Sequence, residues 1–123
     1  MKRILIIDDD PIIRKLFSQF LEKQGYEVVL AENGKIGMSK MIENPPDLII
    51  TDILMPEMDG LEILLKIRET HSHMPVIAIS GGMRAMPINF LKQAKLFGAL
   101  HVFEKPVPLS VLDQAIKDSL NLE

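Results

Sequence analysis

Arg3-Ile4-Leu5-Ile6-Ile7-Asp8-Asp9-Asp10-Pro11 decides the fold: a short aliphatic run, three carboxylates in succession, then a proline. An uninterrupted apolar run of this length reads as a strand buried on both faces, as strands of a parallel sheet are. Working outward, similar runs recur at Glu27 to Leu30, Leu48 to Thr51, Val76 to Ile79 and His101 to Phe103. Longer stretches of helical period separate them, and that alternation predicts five βα units around a parallel sheet.

Ile13, Leu16, Phe17, Phe20 and Leu21 recur at helical spacing after the first strand, and Gly25 supplies a stop beyond Gln24. Ile36, Met41 and Ile42 mark a second helix that ends at Asn44-Pro45-Pro46. Leu61, Leu64, Leu65 and Arg68 mark a third, with Asp59 as its N-cap. A fourth is placed at about Ile88 to Phe97. The fifth contains Leu112, Ala115, Ile116 and Leu120, with Ser110 near its start. The first helix carries more apolar residues than one core-facing stripe needs; it is read first as core plus flank, and the alternative is that Ile13 and its neighbours help dock a partner near the site.

A chain of 123 residues is the commonest size for one domain, so residues 1–123 are read as a single unit. A net charge of -3 gives no basic field for a nucleic-acid backbone. With no cysteine, disulfides, thiolate metal sites and cysteine nucleophiles are excluded, which fits a cytoplasmic location. The apolar run after Met1-Lys2-Arg3 ends at three aspartates and is too short for a signal peptide or a membrane span.

Ligands of open α/β sheets bind at the carboxyl ends of the strands. Reading the residues just after each run collects Asp8, Asp9 and Asp10 from the first, Asp52 from the third, Ser80 from the fourth, and Glu104 and Lys105 from the fifth. The second supplies Glu32 and Asn33, to which no role is assigned. Taken alone, an acidic run is an ordinary helix N-terminus, and a lone lysine or serine is surface or turn. Together, carboxylates gathered at one edge repel unless protonated or neutralised, and an oxygen-only set favours a hard ion, Mg2+, with one or two direct carboxylates plus waters. A carboxylate can also attack phosphorus, provided that a metal, an ammonium and a hydroxyl offset the incoming charge.

These residues resemble the response-regulator receiver domains: IIDDDP ending at Pro11, TDILMPEMDG at Thr51 to Gly60, AISGG at Ala78 to Gly82 and EKPV at Glu104 to Val107. The resemblance runs over essentially the whole chain. It implies a doubly wound, flavodoxin-like (βα)5 fold with strand order 2-1-3-4-5. It also implies Asp52 as phosphoacceptor, with Asp9 a direct Mg2+ ligand, Asp8 a ligand acting mainly through water, and Leu54 contributing its backbone carbonyl. Ser80 and Lys105 would hold the phosphoryl group, and Lys105-Pro106 would be a cis peptide bond. The implied partners are a histidine kinase or histidine phosphotransfer protein and a downstream protein target. Leu54 and Gly82 flank the path of the hydrolytic water in this family. Leucine cannot position water and glycine has no side chain, which implies slow self-dephosphorylation.

Two other classes compete. A haloacid-dehalogenase-like phosphatase would use Asp8 and Asp10 as its Asp-x-Asp pair, but Pro11-Ile12 follows instead of that family's Gly and Thr or Val. A flavodoxin-like flavin module would place Asp8 to Asp10 against the flavin phosphate, which they repel. A third reading is a receiver taken from a hybrid kinase or transcription regulator. His71, His73 and His101 lack metal-ligand spacing and are read as surface or edge residues. Where the family carries a switching aromatic on the fifth strand, this chain has Val102, and alternation points Phe103 to the opposite face. The inward movement of Ser80 would then be taken up by Gly81-Gly82 and passed to Ile88 to Phe97.

Overall fold

The computed structural model describes residues 1–53, 60–80, 92 and 94–121. Five parallel strands, β1 (Arg3–Ile7), β2 (Glu27–Ala31), β3 (Leu48–Asp52), β4 (Val76–Ser80) and β5 (His101–Glu104), form one sheet in the order β2-β1-β3-β4-β5. The helices are α1 (Pro11–Lys23), α2 (Gly34–Glu43), α3 (Gly60–Thr70) and α4 (Leu109–Leu120), and Lys92 and residues 94–96 are also helical. The predicted doubly wound α/β class and strand order are what is found.

The pattern of two-sided burial explains the aliphatic runs. Every residue of β3 and β4 is buried. On one face Leu5, Ile7, Ile49, Val76 and Ala78 pack with α2 and α3 through Met38, Met41, Ile63, Leu64 and Ile67. On the other, Ile4, Ile6, Leu48, Ile50, Ile77 and Ile79 pack with α1 and α4 through Phe17, Leu21, Leu112 and Ile116. Neighbouring residues alternate between these layers, so each run is apolar throughout.

Strand β1 ends where it was expected, and the other four each run one residue further, to Ala31, Asp52, Ser80 and Glu104. The reason is ladder pairing: Asp52 lies opposite Ile79 and Ser80 opposite Glu104, so polar residues that read as loop are the last rungs of the sheet. Helix α1 stops as predicted, with Gly25 at φ 96. Asn33, which had no role, caps α2: its side chain accepts from the Ile36 amide at 2.8 Å. Ser110 lies inside α4, which starts after Pro108 without a side-chain cap. Asp59 and residues 88–91 and 93 of the expected fourth helix lie outside the described residues.

The entry to β5 is fixed from α3. Arg68 donates from Nη1 to the Ser72 carbonyl (2.6 Å) and from Nη2 to the carbonyls of Met74 (2.6 Å) and Gly98 (3.2 Å). Gly98 has φ +103, and a Cβ there would lie 2.5 Å from Arg68 Nε. A side chain at this position therefore meets both a strained backbone and a pinned guanidinium. Gly98→Ala is expected to destabilise the protein by about 1–3 kcal/mol, read as a lower urea midpoint at unchanged slope. An unchanged midpoint would mean that the turn tolerates a β-carbon.

Candidate functional site

The register of the sheet brings Asp8, Asp52, Ser80 and Lys105 to one edge, because each stands at or just after the end of its strand. Asp8 and Asp52 are buried, Asp9 is exposed, and one carboxylate oxygen from each of the three lies within 4.8 Å of the others. Lys105 Nζ bridges the two buried carboxylates, donating to Asp8 Oδ2 at 2.9 Å and Asp52 Oδ2 at 3.0 Å. Its backbone amide donates to the Ser80 carbonyl at 2.9 Å, which fixes the chain leaving β5 against β4. The Lys105–Pro106 peptide is cis, as the resemblance implied.

Ser80 Oγ is buried and has no hydrogen-bond partner among the described residues. A hydroxyl in that condition normally carries a penalty of about 1–3 kcal/mol, so it requires an explanation. Thr51, also buried, donates its hydroxyl to the Asp52 carbonyl at 3.0 Å. On the β1 side Asp8 Oδ1 accepts from the Asp10 amide, and Asp10 Oδ1 caps α1 by accepting from the Ile12 amide, both at 2.9 Å. Asp10 thus serves the backbone, which leaves the Asp-x-Asp pairing without its second member.

Burial raises the Asp8 carboxyl above its ordinary value, against the lowering effects of the Asp10 amide and Lys105. Burial alone would lower the Lys105 ammonium, but Asp8 and Asp52 outweigh it and hold Lys105 above its ordinary value. Both shifts favour the protonated form, as expected where buried carboxyl groups outnumber the ammonium beside them. Such a donor set of carboxylate oxygens suits a hard cation, and Asp8, Asp9 and Asp52 are the residues that could hold one.

The structure brings together Asp8, Asp9, Asp52, Ser80 and Lys105 from the predicted set. Leu54, Gly81 and Gly82 lie outside the described residues. Glu104 is exposed. None of the three histidines joins the carboxylate cluster, and the His101 ring stacks on Phe103 with centroids 6.0 Å apart. Val102 and Phe103 point to opposite layers as alternation requires, Val102 toward α2 and α3 and Phe103 toward α4. The sequence reading missed Arg14, whose Nη1 donates to the Asp8 carbonyl at 2.6 Å. Its place four residues after the cap of α1 was the available signal.

This geometry has relatives. Residues 4–117 match the family model for the response regulator receiver domain. The chain belongs to the response regulator receiver family. It is 37% identical over 121 residues to the chemotaxis protein CheY of Bacillus subtilis, covering 97% of this chain and 98% of that protein. It is 39% identical over 117 residues to a protein-glutamate methylesterase/protein-glutamine glutaminase of Trichodesmium erythraeum, covering 94% of this receiver but only 33% of that relative. A receiver domain from Clostridium thermocellum superposes with a TM-score of 0.91 at 32% identity, covering 98% of this chain and 95% of that one.

The charge imbalance has a consequence for stability. With the Asp8 pKa raised on folding, ionising Asp8 opposes the folded state; the opposition is absent below its ordinary value of 3.8 and complete above the folded value. In the metal-free receiver, wild type should therefore lose stability relative to Asp8→Asn as pH rises from 3.8 through the folded pKa of Asp8. Denaturant titrations of both proteins across this range measure it, and a pH-independent difference would show that burial does not govern Asp8.

Proposed function

We propose that this receiver accepts a phosphoryl group on Asp52 from the phosphohistidine of a histidine kinase or histidine phosphotransfer protein, in the presence of Mg2+, and that a downstream protein reads the modified form. One observation carries the reading: the buried Asp52 carboxylate is at once 3.0 Å from an ammonium and part of a three-carboxylate cluster. An Asp52 oxygen forms the new bond to phosphorus, and the bond from phosphorus to the donor nitrogen breaks, its electron pair leaving with the imidazole. Lys105 offers a point charge to one phosphoryl oxygen, and Ser80 a hydrogen bond to another. The unpartnered Ser80 hydroxyl suits a group that waits for an incoming acceptor. Bound Mg2+, held by Asp8, Asp9, Asp52 and the carbonyl of Leu54, would supply the positive charge that these residues lack.

In this reading residues 1–123 act as one cytoplasmic domain that undergoes only its own phosphorylation and dephosphorylation, without turnover of another substrate. The net charge of -3 favours a protein target over nucleic acid. No described helix is long and apolar enough to cross a membrane. A docking role for α1 would not fall on Ile13, which packs partly into the core. Ile12 and Leu16, 74% and 45% exposed and one turn apart, present an apolar patch near Asp9.

Intact-mass measurement after treatment with acetyl phosphate is expected to show one stoichiometric label on wild type, lost with chelator and lost in Asp52→Asn. An undiminished label on Asp52→Asn would remove the assignment, and sustained phosphate release would favour a phosphatase. Ile12→Ala/Leu16→Ala should slow labelling by a phosphorylated kinase while leaving labelling by acetyl phosphate unchanged. Equal slowing with both donors would place the effect in the site and not in docking.

A further inference from the structure

The loop joining β1 to α1 is held by the hydrogen bonds of Asp8, Asp10 and Arg14. The Asp8 amide donates to the Ala31 carbonyl at 3.1 Å, while Asp8 Oδ1 takes the Asp10 amide and Asp8 Oδ2 takes Lys105. Asp10 Oδ1 caps the Ile12 amide. Arg14 closes the loop twice: its amide donates to the Asp10 carbonyl at 3.1 Å, and its guanidinium reaches back to the Asp8 carbonyl at 2.6 Å. The carboxylate of Asp9 is exposed and makes no hydrogen bond or ion pair among the described residues. The carbonyl that Arg14 grips belongs to the peptide plane between Asp8 and Asp9, so that contact sets the direction in which Asp9 leaves the loop.

We propose that Arg14 is a positioning residue that holds the Asp8–Asp9 peptide so that the free Asp9 carboxylate faces the cation, an inference that rests on the Mg2+ reading above. Two properties of Arg14 act in opposite senses. As a nearby positive charge it repels a divalent cation, and removing it for that reason alone would tighten binding. As the partner that orients a ligand it favours binding, and contacts of that kind typically carry about 10- to 100-fold in metal affinity. The guanidinium is spent on a main-chain carbonyl at 2.6 Å and forms no ion pair with a described carboxylate, so positioning dominates.

The test is calorimetric titration with Mg2+ of wild type, Arg14→Met, Arg14→Lys and Asp9→Asn, together with amide exchange in the metal-free protein. Arg14→Met is expected to bind Mg2+ about tenfold more weakly, against the sign of its charge change, with faster exchange at the Asp10 amide. Arg14→Lys keeps the charge but loses the planar fork, and is expected to fall between the two. Mg2+ affinity in Arg14→Met equal to or tighter than wild type would overturn the proposal. If that variant fails to fold, Arg14→Lys decides, with wild-type affinity overturning the proposal and weaker affinity supporting it. Asp9→Asn separates the two levels: wild-type affinity there removes the Mg2+ reading itself, whereas loss there with Arg14 variants unaffected removes only the role of Arg14.

Discussion

The ammonium of Lys105 is shared by two buried carboxylates from different strands, and the carboxyl edge of the sheet is organised around that sharing. Asp8 follows β1 and Asp52 ends β3, adjacent strands at the centre of the sheet, while Lys105 follows β5 at its margin. The lysine therefore reaches inward across the end of β4, and its own amide is tied there to the Ser80 carbonyl. Removing one member of a buried ionic group leaves uncompensated charge and typically costs about 3–5 kcal/mol. One contact thus holds three chain segments in register at the place where chemistry is proposed.

The same contact leaves a deficit. One ammonium faces the two buried carboxylates, with the exposed Asp9 close by, and β1, β3 and β4 end beside them in Ile7, Asp52 and Ser80. Burial limits how far water disperses the charge of Asp8 and Asp52, and a cation or a proton relieves the imbalance. Apolar runs on both faces of the sheet make the fold stable enough to carry this local strain. The stability lies in the layers and the tension at their edge, an arrangement suited to a site that responds to a ligand.

Much of this was legible in the sequence because two-sided burial leaves a plain mark. Ile4 to Ile7 and Val76 to Ile79 can be little else than central strands, and the residues that follow such strands share an edge in an open α/β sheet. Asp8, Asp52, Ser80 and Lys105 therefore read as neighbours at one edge from the sequence alone. The order of the strands came from the resemblance alone, since periodicity does not say which strands are neighbours. Strand ends were read one residue short at Asp52 and Ser80 because polarity suggested loop, whereas backbone pairing takes no account of side-chain polarity. Asn33 as a cap and Arg14 as a clamp escaped notice because both act on main-chain groups whose positions follow only from the folded turn. Ile13 and Ile12 were not separable by composition, and only the packing of α1 against the sheet decides which of them faces water.

The central claim is that the carboxylate edge of this receiver is short of positive charge and is completed by a divalent cation. Its most direct test is the melting temperature at neutral pH as a function of Mg2+, for wild type and for a variant with Asp8, Asp9 and Asp52 all changed to Asn. A ligand that binds only the folded state at a hundredfold excess over its dissociation constant stabilises by about 2.7 kcal/mol. The account predicts a Mg2+-dependent rise of the melting temperature in wild type that is absent from the triple variant. No rise in wild type, or an equal rise in both, would contradict it.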